Sequence, residues 1–271
     1  MSSETQPKKL SKKLLNKQAK HIKIIDKLDK RTKIIAGEIE GWSNFAKDEG
    51  WLTVPDDYIL YLPQPKKRMK GETLNWDVHA KNFYRAIEGI DFKNKTVLDI
   101  AAGRTWSSKE LALRGAKVTA TDILVKDGVG LKTAYRYFKK FNITYDLVRC
   151  DMNNLPFKDK SFDIVFVHAS IHHSENVQKA IKEMRRVCKK GGLIIFSGEP
   201  VGSFYSKVLN KLLIKGLNYK INETTPRLRE YLSQFNKKNV EVITGTDVGW
   251  RKYFNILRIF GGTVILRVKN N

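Results

Sequence analysis

Residues 96–105, Thr-Val-Leu-Asp-Ile-Ala-Ala-Gly-Arg-Thr, constrain the fold more than any other stretch of the chain. A short apolar run, Val97-Leu98, reaches an acid, Asp99, and the small residues Ala101, Ala102 and Gly103 follow. A helix-compatible segment, 107–113, comes next. The pattern is that of a buried parallel strand, a tight turn and a helix start. In open α/β sheets such a turn lies at the carboxyl end of a strand, where ligands bind, and small side chains let a ligand approach the backbone closely.

A second acid, Asp122, ends the apolar run 116–121. An acid at the tip of the second strand is placed to hydrogen-bond ribose hydroxyls. Two ligand classes compete for this pattern, a dinucleotide and S-adenosylmethionine. A dinucleotide site wants G-x-G-x-x-G, with glycines where the pyrophosphate meets the helix N-terminus. From Ala101 this chain reads A-A-G-R-T-W: the first and third glycines are absent, and Trp106 would crowd a diphosphate. Asp99 makes better sense beside a cationic amino-acid ligand. The bland alternative is an ordinary β–α turn with no ligand.

The rest of the chain alternates in the same way. Strands are predicted at 95–100, 116–121, 145–150, 163–167, 193–196, 240–244 and 263–268, and helices at 75–88, 106–114, 130–141, 175–190, 204–217 and 226–235. Gly191-Gly192 is read as the stop of the 175–190 helix, and 198–200 as a turn. Strand–helix alternation of this kind gives a doubly wound, Rossmann-like α/β fold with a seven-stranded, mostly parallel sheet.

Ahead of it lies an N-terminal extension, residues 1–74, expected to be basic, helical and aromatic and to act as a lid on a main domain at 75–271. In 8–35, Leu10, Leu14, Ile22, Ile25 and Leu28 fall roughly on one helical face among many lysines. Such a helix either docks on the domain or lies on an anionic membrane. Trp42, Phe45, Trp51, Tyr58 and Tyr61 either line a substrate pocket or pack the extension against the domain. The 63–71 loop carries a basic run that either meets a phosphate or is solvated.

The 271 residues include 51 Lys plus Arg against 28 Asp plus Glu, a formal charge of +23. That balance suggests nucleic acid, a membrane surface or an acidic substrate as partner, although a lysine-rich genome would produce the same figure. Cys150 and Cys188 stand apart with no metal-ligand spacing, and read as buried thiols in a reducing cytoplasm. The sequence has no apolar run near the ~20 residues that span a bilayer. A cytoplasmic location is expected, with peripheral contact at the inner membrane surface as an addition.

Taken together the motifs resemble those of class I S-adenosylmethionine-dependent methyltransferases, in the branch often called type 11. The resemblance covers about residues 75–200. Val97-Leu98-Asp99-Ile100-Ala101-Ala102-Gly103 is similar to the family's glycine-rich first motif, and Asp122 to the acid after the second strand. Asp151-Met152-Asn153-Asn154-Leu155-Pro156-Phe157 resembles the segment bordering adenine. Segment 161–168 resembles the fourth motif, and 184–193 the helix-turn-strand that commonly reads R-V-L-K-P-G-G-x-L. The His172-His173 pair recurs in the type 11 branch. Segments 215–223 and 228–232 are faintly similar to methyltransferases of bacterial surface-glycan clusters.

The resemblance implies S-adenosylmethionine as cofactor and a set of site residues. Asp99, Ala101, Gly103 and Thr105 would meet its methionine end, Asp122 the ribose, and Ile123 the adenine face. Asp151 and Met152 would meet the adenine edge, and His168 would lie beside the sulfonium. Alanine at 101 is tolerable if that position does not need a positive φ. A hydroxyl or amine acceptor must lose a proton, and His168, His172 and His173 are the candidate bases. His21 and His79 read as surface or packing histidines, and Asp163 as a structural cap of its strand. No metal site is expected. The acceptor is expected to be a small molecule or glycan, acidic or phosphorylated given the charge. An RNA methyltransferase or nucleic-acid-binding protein is the second reading, disfavoured because no N/D-P-P-Y/F motif follows the 163–167 strand. A methyltransferase-like binding protein without turnover is the third.

Overall fold

In the computed structural model the described residues are 23–28, 33–66, 75–202, 224, 226–245 and 262–271. The predicted 204–217 helix, the 67–71 part of the basic loop, His21 and most of the basic 8–35 segment lie outside them.

Eight strands form one sheet in the order β1-β4-β3-β2-β5-β6-β8-β7. They are β1 (Ile25–Asp26), β2 (Thr96–Ile100), β3 (Lys117–Asp122), β4 (Asp146–Arg149), β5 (Phe162–His168), β6 (Cys188–Val201), β7 (Val240–Thr244) and β8 (Gly262–Lys269). Strands β1 to β6 run parallel to one another, and β8 runs antiparallel to both β6 and β7. Seven strands stand where the hydrophobic runs place them. The eighth, β1, is a correction: Ile25-Asp26 lies within the predicted 8–35 helix, yet it pairs with Val148 and Arg149 at the sheet edge. Arg149 fixes it there, its guanidinium 3.2 Å from Asp26.

Side chains alternate across the sheet because successive residues of a strand face opposite ways. Val97, Ile164, Phe166, Ile195 and Ile265 face one core, and Leu98, Ile100, Val165, Val167, Ile194 and Phe196 face the other. The first core is closed by α3 (Trp76–Ile87), α4 (Trp106–Leu113) and α5 (Ala134–Phe141), and by residues 46–62 with the short α2 (Asp56–Ile59). The second is closed by α6 (Val177–Val187) and by Tyr231 of α7 (Leu228–Leu232). Helix α1 (Lys33–Asp48) runs ahead of α2. Asn75 caps α3 by accepting from Val78 N, and Asn176 caps α6 by accepting from Lys179 N.

Two glycine readings are corrected. Helix α6 ends at Val187, and Gly191-Gly192 lie inside β6, where the pairing with β5 shifts register between Phe162 and Ile164. The predicted turn at 198–200 is instead a continuation of β6, with Glu199 opposite Val264. Gly198 adopts φ +66 at a register shift, and a Cβ there would stand 3.2 Å from Asn82 Cβ. This is a bulge, and it re-aims the strand beyond it.

Candidate active site

The carboxyl ends of β2, β3, β4 and β5 open on a cavity of ≈ 370 Å3, within the range of small-molecule sites. From β2 the chain winds outward to β3 and β4, and from β5 it winds the other way to β6. The cavity therefore sits where the connection order reverses, the position at which open α/β sheets bind ligands.

The turn after β2 is wound left-handed at alternate residues: φ is +51° at Ala101, +50° at Gly103 and +56° at Thr105. The tolerance expected of alanine thus does not hold, because position 101 does need a positive φ. This conformation costs alanine and threonine roughly 1–2 kcal/mol each. Contacts within the turn and from other elements hold it in place. Ala102 N donates to Thr121 O at 2.8 Å, and Thr105 N to Ala102 O at 2.7 Å. The Tyr145 hydroxyl donates to Thr105 Oγ1 at 2.9 Å. Thr105 is fully buried on that tyrosine and does not line the cavity. Its hydroxyl locks the turn from behind, which differs from the ligand contact expected of it.

Asp99 and Asp122 meet beneath this turn, and both line the cavity. Asp122 Oδ2 accepts from Gly103 N and Oδ1 from Leu124 N, each at 2.7 Å. Each oxygen retains a lone pair for a further donor. Asp99 Oδ2 accepts from the hydroxyls of Ser107 (2.7 Å) and Ser108 (2.5 Å). Its Oδ1 is buried with no hydrogen-bond partner among the described residues. Burial raises the Asp99 carboxyl to about 6, against the lowering by the two serines, and Asp122 adds to the rise. Burial likewise raises Asp122 to about 6, opposed by its backbone donors.

Ile123, Asp151 and Met152 line the same cavity beside Asn153. Asp151 Oδ1 accepts from Asn153 N and Nδ2, and Ser174 Oγ donates to Asn153 Oδ1. This network ties the β4 loop to the segment after β5.

The opposite wall is aromatic. Trp42, Phe45 and Trp51 come from the N-terminal region, Trp76 from α3 and Trp106 from α4. The 36–62 aromatics divide by location: Trp42, Phe45 and Trp51 face the cavity, while Tyr58 is core. Arg104 is buried with its guanidinium 3.6 Å over the Trp51 ring, a cation–π contact.

The histidines divide by location. His168 lines the cavity, yet both ring nitrogens are engaged, Nδ1 with Ser197 Oγ at 2.9 Å and Nε2 with His79 Nδ1 at 3.0 Å. His172 does not line the cavity. Its Nδ1 lies 2.9 Å from Oε2 of Glu199, a fully buried carboxylate whose Oε1 accepts from Ser170 N and Ile171 N. His172 braces the loop from below. His173 does face the cavity, its ring 4.0 Å from that of His172 at a tilt of 42° and edge-on to Trp42 at 5.1 Å.

His79, a surface or packing residue by its sequence context, is a cavity residue. Burial, followed by the charge of His172, lowers it to about 4, and burial with His79 lowers His168 well below the usual imidazole range. A signal for this is present in the sequence: Trp76, His79 and Phe83 share one helical face, and Trp76 and Phe83 are buried core residues. Asp163 serves as a cap, accepting from Thr96 N and Oγ1 and from Lys189 Nζ. Among the described residues no group of three His, Cys, Asp or Glu is arranged to hold a metal ion. No helix among them is long and apolar enough to cross a membrane.

Comparison with known proteins places these features in a group. Residues 98–196 match the type 11 family described as a methyltransferase domain. The chain is 33% identical over 114 residues to a malonyl-[acyl-carrier protein] O-methyltransferase of Buchnera aphidicola, covering 42% of this chain and 43% of that protein. It is 34% identical over 144 residues to a demethylmenaquinone methyltransferase of Tropheryma whipplei, covering 51% of this chain and 57% of that protein. The chain thus spans about half the length of the curated relatives it matches. The crystal structure of a geranyl diphosphate C-methyltransferase from Streptomyces coelicolor superposes with a TM-score of 0.59 at 13% identity, covering 90% of this chain and 100% of that one. The YcgJ protein of Bacillus subtilis superposes with a TM-score of 0.56 at 15% identity, covering 71% of this chain and 99% of that one. At these identities the two structures speak for the fold alone.

Proposed function

With residues 98–196 forming a class I S-adenosylmethionine-dependent methyltransferase domain of the type 11 branch, we propose that the whole chain transfers a methyl group to a small-molecule acceptor. The observation that carries this reading is Asp99 Oδ1, which is buried without a hydrogen-bond partner among the described residues, beside a left-handed turn. A buried carboxylate oxygen without a donor is costly. The ammonium of an amino-acid ligand satisfies it, and a diphosphate would repel it.

The remaining residues fit the same ligand. Gly103 leaves the turn open to the cavity, since a Cβ there would meet only Val129 O at 3.8 Å. Asp122 has lone pairs for ribose hydroxyls. Ile123 would lie on the adenine face, with Asp151 and the Met152 backbone at its edge. S-adenosylmethionine, when bound, supplies an electrophilic methyl on a sulfonium. The chain supplies position and a dry site. Trp76 packs on His79 and Trp106 on His168, which excludes water around the two imidazoles, and Trp42, Phe45 and Trp51 form a wall for the body of the acceptor.

An aromatic wall favours a ring-bearing acceptor with an apolar face. Malonyl-[acyl-carrier protein] and demethylmenaquinone, named for the relatives, share small-molecule or carrier-borne character. A sugar ring stacked on tryptophan falls within the same reading, and the acidic or phosphorylated glycan suggested by the net charge is its charged variant. On this reading the 33–62 segment, from which Trp42, Phe45 and Trp51 line the cavity, is the wall of the acceptor chamber.

The test is calorimetric titration with S-adenosylmethionine and S-adenosylhomocysteine on the wild type and Asp122→Ala. Micromolar binding, weakened at least tenfold by the substitution, is the expected result. Absence of binding to either ligand by a folded wild type would overturn the reading.

A further inference from the structure

Strand alternation fixes where His168 points. It shares a face of β5 with Ile164 and Phe166, which belong to the core closed by α3. His79 projects from α3 on the same side as Trp76 and Phe83, so the two imidazoles meet at 3.0 Å. Ser197 stands opposite His168 in the β5–β6 register, and its hydroxyl lies 2.9 Å from the other nitrogen. Trp106 closes on His168 edge-first at 4.9 Å, and Trp76 lies 5.6 Å from His79. The result is a line of three groups, Ser197–His168–His79, inside an aromatic sleeve that ends at the cavity. His168 has no nitrogen left for an acceptor. His79 uses only Nδ1, and its Nε2 makes no hydrogen bond among the described residues.

We propose that His79, and not His168 or His172, is the group that takes the proton from a hydroxyl acceptor, with His168 and Ser197 fixing its tautomer. This rests on the methyltransferase reading and extends it. The tautomer that this role requires has His168 Nδ1–H donating to Ser197 Oγ and His168 Nε2 accepting from His79 Nδ1–H, which leaves His79 Nε2, on a residue that lines the cavity, with its lone pair. In the transfer a lone pair of the acceptor oxygen forms the new O–CH3 bond. The electron pair of the broken C–S bond returns to sulfur, leaving a neutral thioether. The hydroxyl proton passes to His79 Nε2, and the resulting imidazolium is held by a charge-assisted bond to His168. The proton leaves to water with the product. Burial keeps both rings neutral at pH 7, and a weak base suffices because an oxygen being methylated becomes strongly acidic.

The proposal implies a sharp division of labour. Replacing His79 should remove proton transfer, worth roughly 10²–10⁴-fold, and leave the cofactor end untouched. The full chain is loaded with S-adenosylhomocysteine, and the imidazole nitrogens are followed by ¹⁵N NMR. His79 should be neutral at pH 7 with Nε2 unprotonated, and His168→Gln should change the Nδ1/Nε2 pattern of His79. In parallel, labelled methyl transfer from S-adenosylmethionine to a small-molecule cell extract is measured for the wild type, His79→Gln, and His79→Ala with and without added imidazole. The expected result is at least a hundredfold loss, partial rescue of His79→Ala by imidazole, and S-adenosylhomocysteine affinity within threefold of wild type. A protonated Nε2 on His79 would overturn the proposal. So would His79→Gln turnover within threefold of wild type, or a loss matched by an equal loss of affinity. If wild type fails to bind S-adenosylhomocysteine, the methyltransferase reading fails first, and the two failures are told apart.

Discussion

The two walls of the cavity are built on opposite plans. The carboxylate wall, from Asp99 through the 101–105 turn to Asp122, is local in sequence, polar and strained. Its shape comes from backbone hydrogen bonds and from three left-handed residues. The aromatic wall is assembled from distant pieces: Trp42 and Trp51, Trp76 and His79, Trp106, and His168. Its shape comes from ring packing, with centroid separations such as 5.0 Å between Phe83 and Trp106. The first wall suits a ligand that does not vary, and its features can be read from a motif. The second suits a ligand that can be changed by altering loops and rings without disturbing the strands.

The largest expected effect separates the walls at Asp99. On the methyltransferase reading, the Asp99→Asn change removes the carboxylate whose Oδ1, without a partner among the described residues, would meet the ligand ammonium, a hydrogen bond to a charged group worth about 1.5–3 kcal/mol. Calorimetry should show S-adenosylhomocysteine affinity falling about tenfold to a hundredfold. The ligand-free protein should become more stable. The folded-state pKa of Asp99 is raised to about 6, so the native state holds its proton more tightly than the unfolded chain. Stability is therefore lost as pH rises from about 4 through 6, and asparagine removes that loss at pH 7. A Tm higher by about 2–4 °C per kcal/mol would register it, and a lower Tm would contradict the burial argument.

Gly128 tests the aromatic wall. At φ +84, a Cβ there would stand 2.2 Å from Trp51 O. The Gly128→Ala change must push the Trp51 segment away, at about 1–3 kcal/mol in overpacking and strain. Methyl transfer should fall about tenfold or more while S-adenosylhomocysteine binding changes little. Equal loss of both would mean that the walls are not separable.

Acidity sharpens the comparison next. With burial raising both Asp99 and Asp122 to about 6, protonation below that value would remove the negative charge that the methyltransferase reading sets against the ligand ammonium. S-adenosylhomocysteine affinity should hold from pH 8 to 7 and weaken about tenfold per unit below pH 6. A flat profile down to pH 5 would place the ammonium elsewhere.

The smallest effect is expected at Ala101. Glycine there relieves a left-handed alanine, a gain of up to about 1 kcal/mol offset in part by backbone entropy. Thermal melting of Ala101→Gly should show a rise of about 1–3 °C. A fall would mean that the alanine methyl packs favourably enough to outweigh its φ.

Much of the carboxylate wall is legible in the amino-acid sequence. Apolar runs bounded by Asp99, Asp122, Asp151 and His168 mark strands that end at one level, and the order of alternation makes the sheet doubly wound. The aromatic wall is legible only as composition, which names the rings and leaves their facing undecided. Local spacing puts His79 on the buried face with Trp76, but its hydrogen-bond partner is 89 residues away and is set only by the fold. Gly198 mimics a turn because a glycine followed by Glu-Pro signals one locally, whereas antiparallel pairing with β8 carries β6 straight through as a bulge. Apolar spacing draws Ile25-Asp26 into a helix, and Arg149 together with an open sheet edge decides otherwise.

The sequence by itself determined the mostly parallel sheet, the cavity-facing ends of its strands and the identity of the carboxylates there. Those properties follow from period-two burial and local turn chemistry, which act over a few residues. The tertiary structure alone decided that Ala101 and Thr105 would bear a left-handed backbone, held by Thr121 and Tyr145. It also decided that both nitrogens of His168 would be occupied and that His79 would face the cavity. Each of these depends on which side chains meet across strands and helices far apart in the chain, and packing of that kind is settled only when the whole core closes.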